Sequence, residues 1–137
     1  MDQQRPVPMP NAETAPFWTA TAEGRLSLPR CTDCDRLLYP PPPRCPHCLG
    51  DDLVWEDLSG RGSLYSWTEI FLDAVPGIDA PTLLVSVELA EQRGLLMHML
   101  SHDRTVRDLP QGSGMDIRFG SLEHGVRLPF AEPAGEA

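Results

Sequence analysis

The sequence predicts a mainly β protein, with a short N-terminal helix and a zinc ribbon followed by a five-stranded OB-fold barrel. Three observations carry this. The only cysteines, Cys31, Cys34, Cys45 and Cys48, fall as two C-x2-C pairs with ten residues between them. The proline run Pro40–Pro43 lies between the pairs, where each ring removes an amide donor and restricts its predecessor, so that stretch is not helical. From residue 57 onward, about five period-2 segments follow one another, separated by turn residues.

Residues 1–13 read as a disordered tail rich in proline, glutamine and polar residues. Thr14 is placed to cap a short helix that tolerates Pro16 in its first turn and stops at Gly24. Phe17 and Trp18 are adjacent large aromatics on that helix. Two readings stand for them: packing on the neighbouring ribbon, or docking on another subunit.

The helix and ribbon together span residues 14–56. A C-x2-C hairpin aims two thiolates at one point, and two hairpins close the tetrahedron that Zn2+ accepts. With sulfur in all four positions no site stays open for water, so one structural zinc ion is expected rather than a catalytic one. A rubredoxin-type iron site is the competitor, and the short separation between the pairs favours zinc. So short a ribbon cannot build its own core, and the metal supplies folding free energy. His47, inside the second knuckle, reads as a surface histidine. The segment 37–43, Leu-Leu-Tyr-Pro-Pro-Pro-Pro, reads as an extended strand entering a polyproline stretch.

Residues 57–130 read as the barrel. Gly60-Arg61-Gly62 signals a turn or bulge. Over residues 63–72, Leu64, Ser66, Thr68, Ile70 and Leu72 alternate with Tyr65, Trp67, Glu69 and Phe71. Leu83, Val85, Val87 and Leu89 form the next strand. Gln92-Arg93-Gly94 turns the chain into residues 95–100. Met115, Ile117 and Phe119 follow, and Val126, Leu128 and Phe130 close the series. Five antiparallel strands of this length suit a small closed barrel. Residues 103–109 match the short helix that an OB-fold carries between its third and fourth strands. Residues 131–137 read as a second tail.

Composition narrows the function. The chain has 137 residues and a net charge of −9, from 20 acids and 11 bases. All the bases are arginine, which excludes a Schiff-base lysine and a P-loop lysine. If the cysteines hold zinc, no thiol is left as a nucleophile. His98 and His102 lie on a strand and a turn and do not share a face; His47 and His124 are isolated. Gly112-Ser113-Gly114 is a turn without a following helix, and no serine sits in a nucleophile elbow. No catalytic residue is assigned. No signal peptide or membrane-length apolar run is present, so a soluble, cytoplasmic protein is expected.

Tyr65, Trp67 and Phe71 alternate onto one face of the long strand. Stacking of nucleic-acid bases would need basic neighbours, and Glu69 stands between them. A protein or acyl-chain contact is the better fit.

The order of these motifs resembles a known family. Phe17-Trp18, Arg30-Cys31-x2-Cys34, the prolines, Cys45-Pro46-x-Cys48 and Trp55 are followed by Ser59-Gly60-Arg61-Gly62, by Leu-Tyr-Ser-Trp-Thr at 64–68, and by Leu-Val-Ser-Val-Glu-Leu at 84–89. This is similar to proteins that join a rubredoxin-like zinc ribbon to an OB-fold, long filed as a domain of unknown function. The likeness covers about residues 14–133. The family usually places glycine directly after each knuckle, where the chain turns left-handed. Here Asp35 and Leu49 stand there, and Gly50 is expected to take the second turn one residue later.

The resemblance implies a non-catalytic accessory subunit in acyl-CoA metabolism. The implied partner is a thiolase-fold aldolase or acyltransferase, with a hydratase of the MaoC type as a further partner and an acyl-CoA held in the complex. A retro-aldolase of steroid side-chain degradation is the favoured case. Phe17, Trp18, Tyr65, Trp67 and Phe71 are the expected partner contacts. Arg36, Arg44 and Arg61 are candidate contacts for CoA phosphates, against pairing with Asp33, Asp51 and Asp52. Two other functions stand beside this one. A free-standing acyl-CoA-binding protein would bind its ester alone. A single-stranded nucleic-acid module fits the fold but not the charge. No nucleic acid and no membrane is expected as a partner.

Overall fold

The computed structural model describes residues 6–73, 76–122 and 125–135. It opens with α1 (Ala15–Ala22), followed by the ribbon strands β1 (Leu26–Cys31) and β2 (Leu53–Leu58). Five further strands follow: β3 (Arg61–Ile70), β4 (Thr82–Leu89), β5 (Leu96–Ser101), β6 (Gly114–Ser121) and β7 (Arg127–Pro133). A 3-10 turn at Arg104–Asp108 joins β5 to β6, where the sequence places the OB-fold helix. The barrel closes in the order β3-β4-β5-β7-β6, which is OB topology.

The helix begins directly after Thr14, as expected, and a turn over residues 11–14 leads into it. Thr14 makes no side-chain bond to the helix. Instead, Asn11 and Thr14 each accept the other's backbone N–H, at 3.0 and 2.9 Å, and the Asn11 carbonyl accepts Ala15 N–H at 2.8 Å. This reciprocal pattern, of the kind a capping box makes, closes the turn that precedes the helix. At the other end Gly24 has φ +78°, Gly24 N–H bonds the Thr21 carbonyl, and Arg25 N–H bonds that of Ala20. These paired bonds form a Schellman stop.

Ribbon and barrel share one core. Phe17, Leu26, Leu28 and Leu37 pack in a single cluster with barrel residues such as Leu64, Val87 and Met115. The apolar stripe that the ribbon cannot bury by itself is therefore buried against the barrel. Bends at residues 39–40 and 43–44 interrupt the proline run, and the Tyr39–Pro40 peptide is cis.

Two barrel strands differ from their predicted phase. A bulge between Leu64 and Ser66 leaves Tyr65 without a partner in the ladder, so the alternation read over residues 63–72 slips there. Trp67 lies opposite Val85 and Glu69 opposite Leu83, on the side that Leu64 faces. Tyr65 and Trp67 are thus neighbours across a bulge and not members of one alternating row. In β7, the inward position is Ala131, fully buried opposite Ile117. Leu128 and Phe130 take the opposite phase. Large residues on the outer side of β7 gave an alternation one residue out of step. The strand also continues to Pro133, so residues 131–133 are barrel and not tail. Gly62 is required where β3 meets β4, since a Cβ there would lie 2.3 Å from the Glu88 carbonyl oxygen.

Candidate metal centre and the surface around it

The four cysteine sulfurs lie within 4.8 Å of one another, with Cys31–Cys48 and Cys34–Cys45 both at 3.5 Å. A tetrahedral ion with Zn–S bonds of about 2.3 Å separates its sulfurs by about 3.8 Å. Four convergent thiolates from two hairpins are the donor set of a structural zinc site, and they fit that ion.

The backbone builds this convergence. Each knuckle closes with an N–H of its fifth residue on the carbonyl of its first: Asp35 on Cys31 at 2.8 Å, and Leu49 on Cys45 at 2.9 Å. Both Asp35 and Leu49 adopt φ +65°. Gly50 does not take over the second turn. Leu49 itself is left-handed, with its side chain 69% exposed. A Cβ at Gly50 would meet the exposed Asp33 carboxylate at 2.4 Å, which is free to turn away, and would crowd the ligand sulfur of Cys48 at 3.3 Å. The turns then aim the Arg36 N–H at Cys34 and the Gly50 N–H at Cys48.

The metal-free thiols differ. At Cys45, burial pushes the thiol up, but backbone N–H groups of Cys48 and His47 and the neighbouring thiols outweigh it and bring it down to about 7. At Cys48 the Gly50 N–H pulls downward, but the sulfur of Cys31, burial and the other two sulfurs push it up to about 12. The first thiolate forms easily; each later one meets a like charge unless a cation sits between them.

The other predicted residues separate. Phe17 is 4% exposed and stacks edge-on against Trp18, with ring centroids 5.0 Å apart. Its ring is spent on the shared core, and a docking role for it is withdrawn; Trp18 remains half-buried. Tyr65 and Trp67 are exposed on β3, and Phe71 and Leu72, just past its end, are 72% and 76% exposed. Arg44 lies on the Leu49 carbonyl at 3.1 Å and 3.8 Å from Asp51. Arg36 Nη1 lies 3.4 Å from His47 Nδ1. Arg61 sits apart, at the start of β3 beside β6. His47, His98 and His102 are exposed and scattered, and His124 lies outside the described residues.

Sequence reading missed two contributors. Gln92 clamps Leu37, and Arg93 beside it lines a groove with Arg36. Both lie in a hairpin turn, where no periodicity marks a side chain as a contact. Among the described residues, no helix is long and apolar enough to cross a membrane.

The fold and the centre define a rubredoxin-like zinc ribbon carried on an OB-fold barrel. Residues 18–54 match the family model of the ChsH2 rubredoxin-like zinc ribbon domain. Over 96 residues the chain is 32% identical to a probable enoyl-CoA hydratase alpha subunit of Thermomonospora curvata, covering 70% of this chain and 30% of the relative. Over 75 residues it is 35% identical to the benzoylsuccinyl-CoA thiolase subunit BbsA of Thauera aromatica, covering 53% of this chain and 51% of the relative. The chain thus spans from under a third to about half the length of these curated relatives. Among solved structures, the Ltp2-ChsH2(DUF35) aldolase contains a chain that superposes with a TM-score of 0.80 at 26% identity, covering 93% of this chain and 98% of that one. A protein of unknown function of the DUF35 family from Sulfolobus solfataricus superposes at 0.60 with 14% identity, a likeness of fold alone.

Proposed function

We propose that this chain is a non-catalytic accessory subunit of a thiolase-like acyl-CoA enzyme. It stabilises the partner and helps enclose the CoA thioester, and a retro-aldolase acting in steroid side-chain degradation is the favoured complex. The observation that carries this reading is the superposition on nearly the whole of a chain from an aldolase assembly. The exposed end of β3 agrees with it. Trp67, Ile70, Phe71 and Leu72 leave large apolar side chains in solvent, which is the composition of a protein-contact core. The scattered histidines and the all-cysteine metal centre fit a subunit that leaves chemistry to its partner.

The zinc centre here holds a surface in shape. It orders the ribbon, and the ribbon packs against the barrel through the shared core. Co-purification of the tagged chain from its native host tests the proposal. Recovery of a thiolase-fold protein is expected, and Phe71→Asp is expected to reduce it at unchanged zinc content. Recovery of the chain alone would overturn the reading.

A further inference from the structure

A groove on the seam between ribbon and barrel lies beside the second knuckle and apart from the exposed end of β3. One wall comes from the segment between the knuckles, with Arg36 and Tyr39; the other comes from the β4–β5 turn, with Arg93 and Leu96. Its volume is about 400 Å3, inside the range of small-molecule sites of about 300–1,000 Å3.

Its charge sets it apart. Arg25, Arg30, Arg44, Arg104, Arg107 and Arg118 each lie within ion-pair distance of a carboxylate. Among the described residues Arg36, Arg61, Arg93 and Arg127 have no such partner, and two of these four line this one groove. No aspartate or glutamate lines it. In a chain with 20 acids and 11 bases, two guanidinium groups facing one cleft without a counter-ion mark a place for an external anion. The planar guanidinium fork matches phosphate in particular. Tyr39, Pro40, Pro42 and Leu96 add apolar surface, beside the polar His47 and Gln92. They suit a base or ribose.

We propose that this groove binds the phosphate-bearing end of an adenosine nucleotide, the chemical handle of a CoA ester. The choice of nucleotide rests on the function proposed above; the anion site rests on the two arginines and the cleft. Arg36 has a competing role, since it stands two residues from Cys34 and offsets the charge of the thiolate centre. Arg93 has none, because it lies on the barrel hairpin, and so it decides the question.

The test is calorimetric titration of the zinc-loaded full chain with adenosine 3′,5′-bisphosphate at low salt. Saturable binding is expected, weakened about tenfold or more by Arg93→Gln and less than about twofold by Arg61→Gln, a change that tenfold steps in Kd resolve readily. Adenosine without phosphate and inorganic phosphate are each expected to bind at least about tenfold more weakly, since each meets half of the site. No binding of the bisphosphate, equal loss in Arg61→Gln, or equal affinity for inorganic phosphate would overturn the proposal. Arg36→Gln is read only alongside its zinc content. Partner recovery is scored separately: Arg93→Gln is expected to keep it. A failed co-purification with intact nucleotide binding therefore removes the accessory-subunit reading and leaves the groove.

Discussion

Gln92 bonds both backbone groups of Leu37: its Oε1 accepts the Leu37 N–H at 2.8 Å, and its Nε2 donates to the Leu37 carbonyl at 3.0 Å. One side chain from the barrel hairpin thus completes the edge of the ribbon, as a paired strand would. Leu37 is 1% exposed and has only an isolated bridge to Arg30 on its other side. Gln92→Ala is expected to cost about 1–3 kcal/mol, the usual penalty for a buried N–H left without an acceptor. Urea unfolding measures it. A loss within error would mean that water replaces the amide and that the clamp does not couple the two parts.

Leu49 makes the second knuckle by a route that the sequence argues against. A non-glycine residue in the left-handed region costs about 1–2 kcal/mol, and glycine in exchange gives up about 0.5–1 kcal/mol in chain entropy. Because the Leu49 side chain is mostly exposed, little burial is lost on removing it. Leu49→Gly is therefore expected to raise stability by about 0.5–1 kcal/mol, seen as a higher thermal midpoint at equal zinc content. Gly50→Ala is expected to lower it, because the added methyl would crowd the ligand sulfur of Cys48, 3.3 Å away. The reverse order of the two variants would refute this account of the turn.

Much of this architecture was legible because it rests on local rules. The C-x2-C pairs fix the metal site through covalent reach alone, and Leu83, Val85, Val87 and Leu89 fix β4 through simple alternation. The bulge at Tyr65 was not legible. Its cause is the register against β4, and that register lies in another segment of chain. Ala131 was missed for a related reason. An alanine carries little weight in a hydrophobic pattern, yet it faces inward because Ile117 opposite it does. The arginine pair in the groove depends on two residues 57 positions apart, Arg36 and Arg93, and only the packing of ribbon on barrel brings them together.

Zinc affinity is expected to rise with pH. In the metal-free protein Cys45 is brought down to about 7, whereas Cys34 is raised and Cys48 is pushed up to about 12. Binding must then expel the protons of Cys34 and Cys48 at least. As pH falls, protons compete more strongly and metal is released; as pH rises, the competition fades. Zinc titrations at neutral pH in two buffers of different ionisation heat are expected to show release of more than one proton per ion. Cys45→Ser is expected to lose stoichiometric zinc and to disorder the ribbon, read as lost dispersion in amide spectra. Full zinc content in that variant would disprove a four-sulfur structural site.

Glu69 anchors the 3-10 turn that closes one end of the barrel. Its side chain is only 10% exposed and receives bonds from Arg107 at 2.9 Å and Arg104 at 2.5 Å. The Arg107 hydrogen bond, then that of Arg104, outweighs the opposing effect of burial and holds the carboxyl below its usual range. A carboxylate with a lowered folded pKa adds stability that is present above its unfolded value of about 4.3 and is lost as pH falls through the folded value. The turn is therefore expected to loosen in acid, before the apolar barrel core does. Glu69→Gln removes the charge but keeps the shape. At neutral pH it is expected to speed hydrogen exchange at the Val106 and Leu109 amides, which close the turn on Asp103 and Val106. Once the pH has fallen below the folded value, the variant and the parent are expected to converge, because protonation then removes the charge from the parent too. Asp103 bonds the Thr105 hydroxyl and N–H and is also held low, so some acid dependence is expected to persist in the variant. Asp103→Asn in the same background is expected to remove most of it. A protection difference that stays constant as the pH is lowered until the barrel itself unfolds would show that Glu69 acts by packing and not by charge.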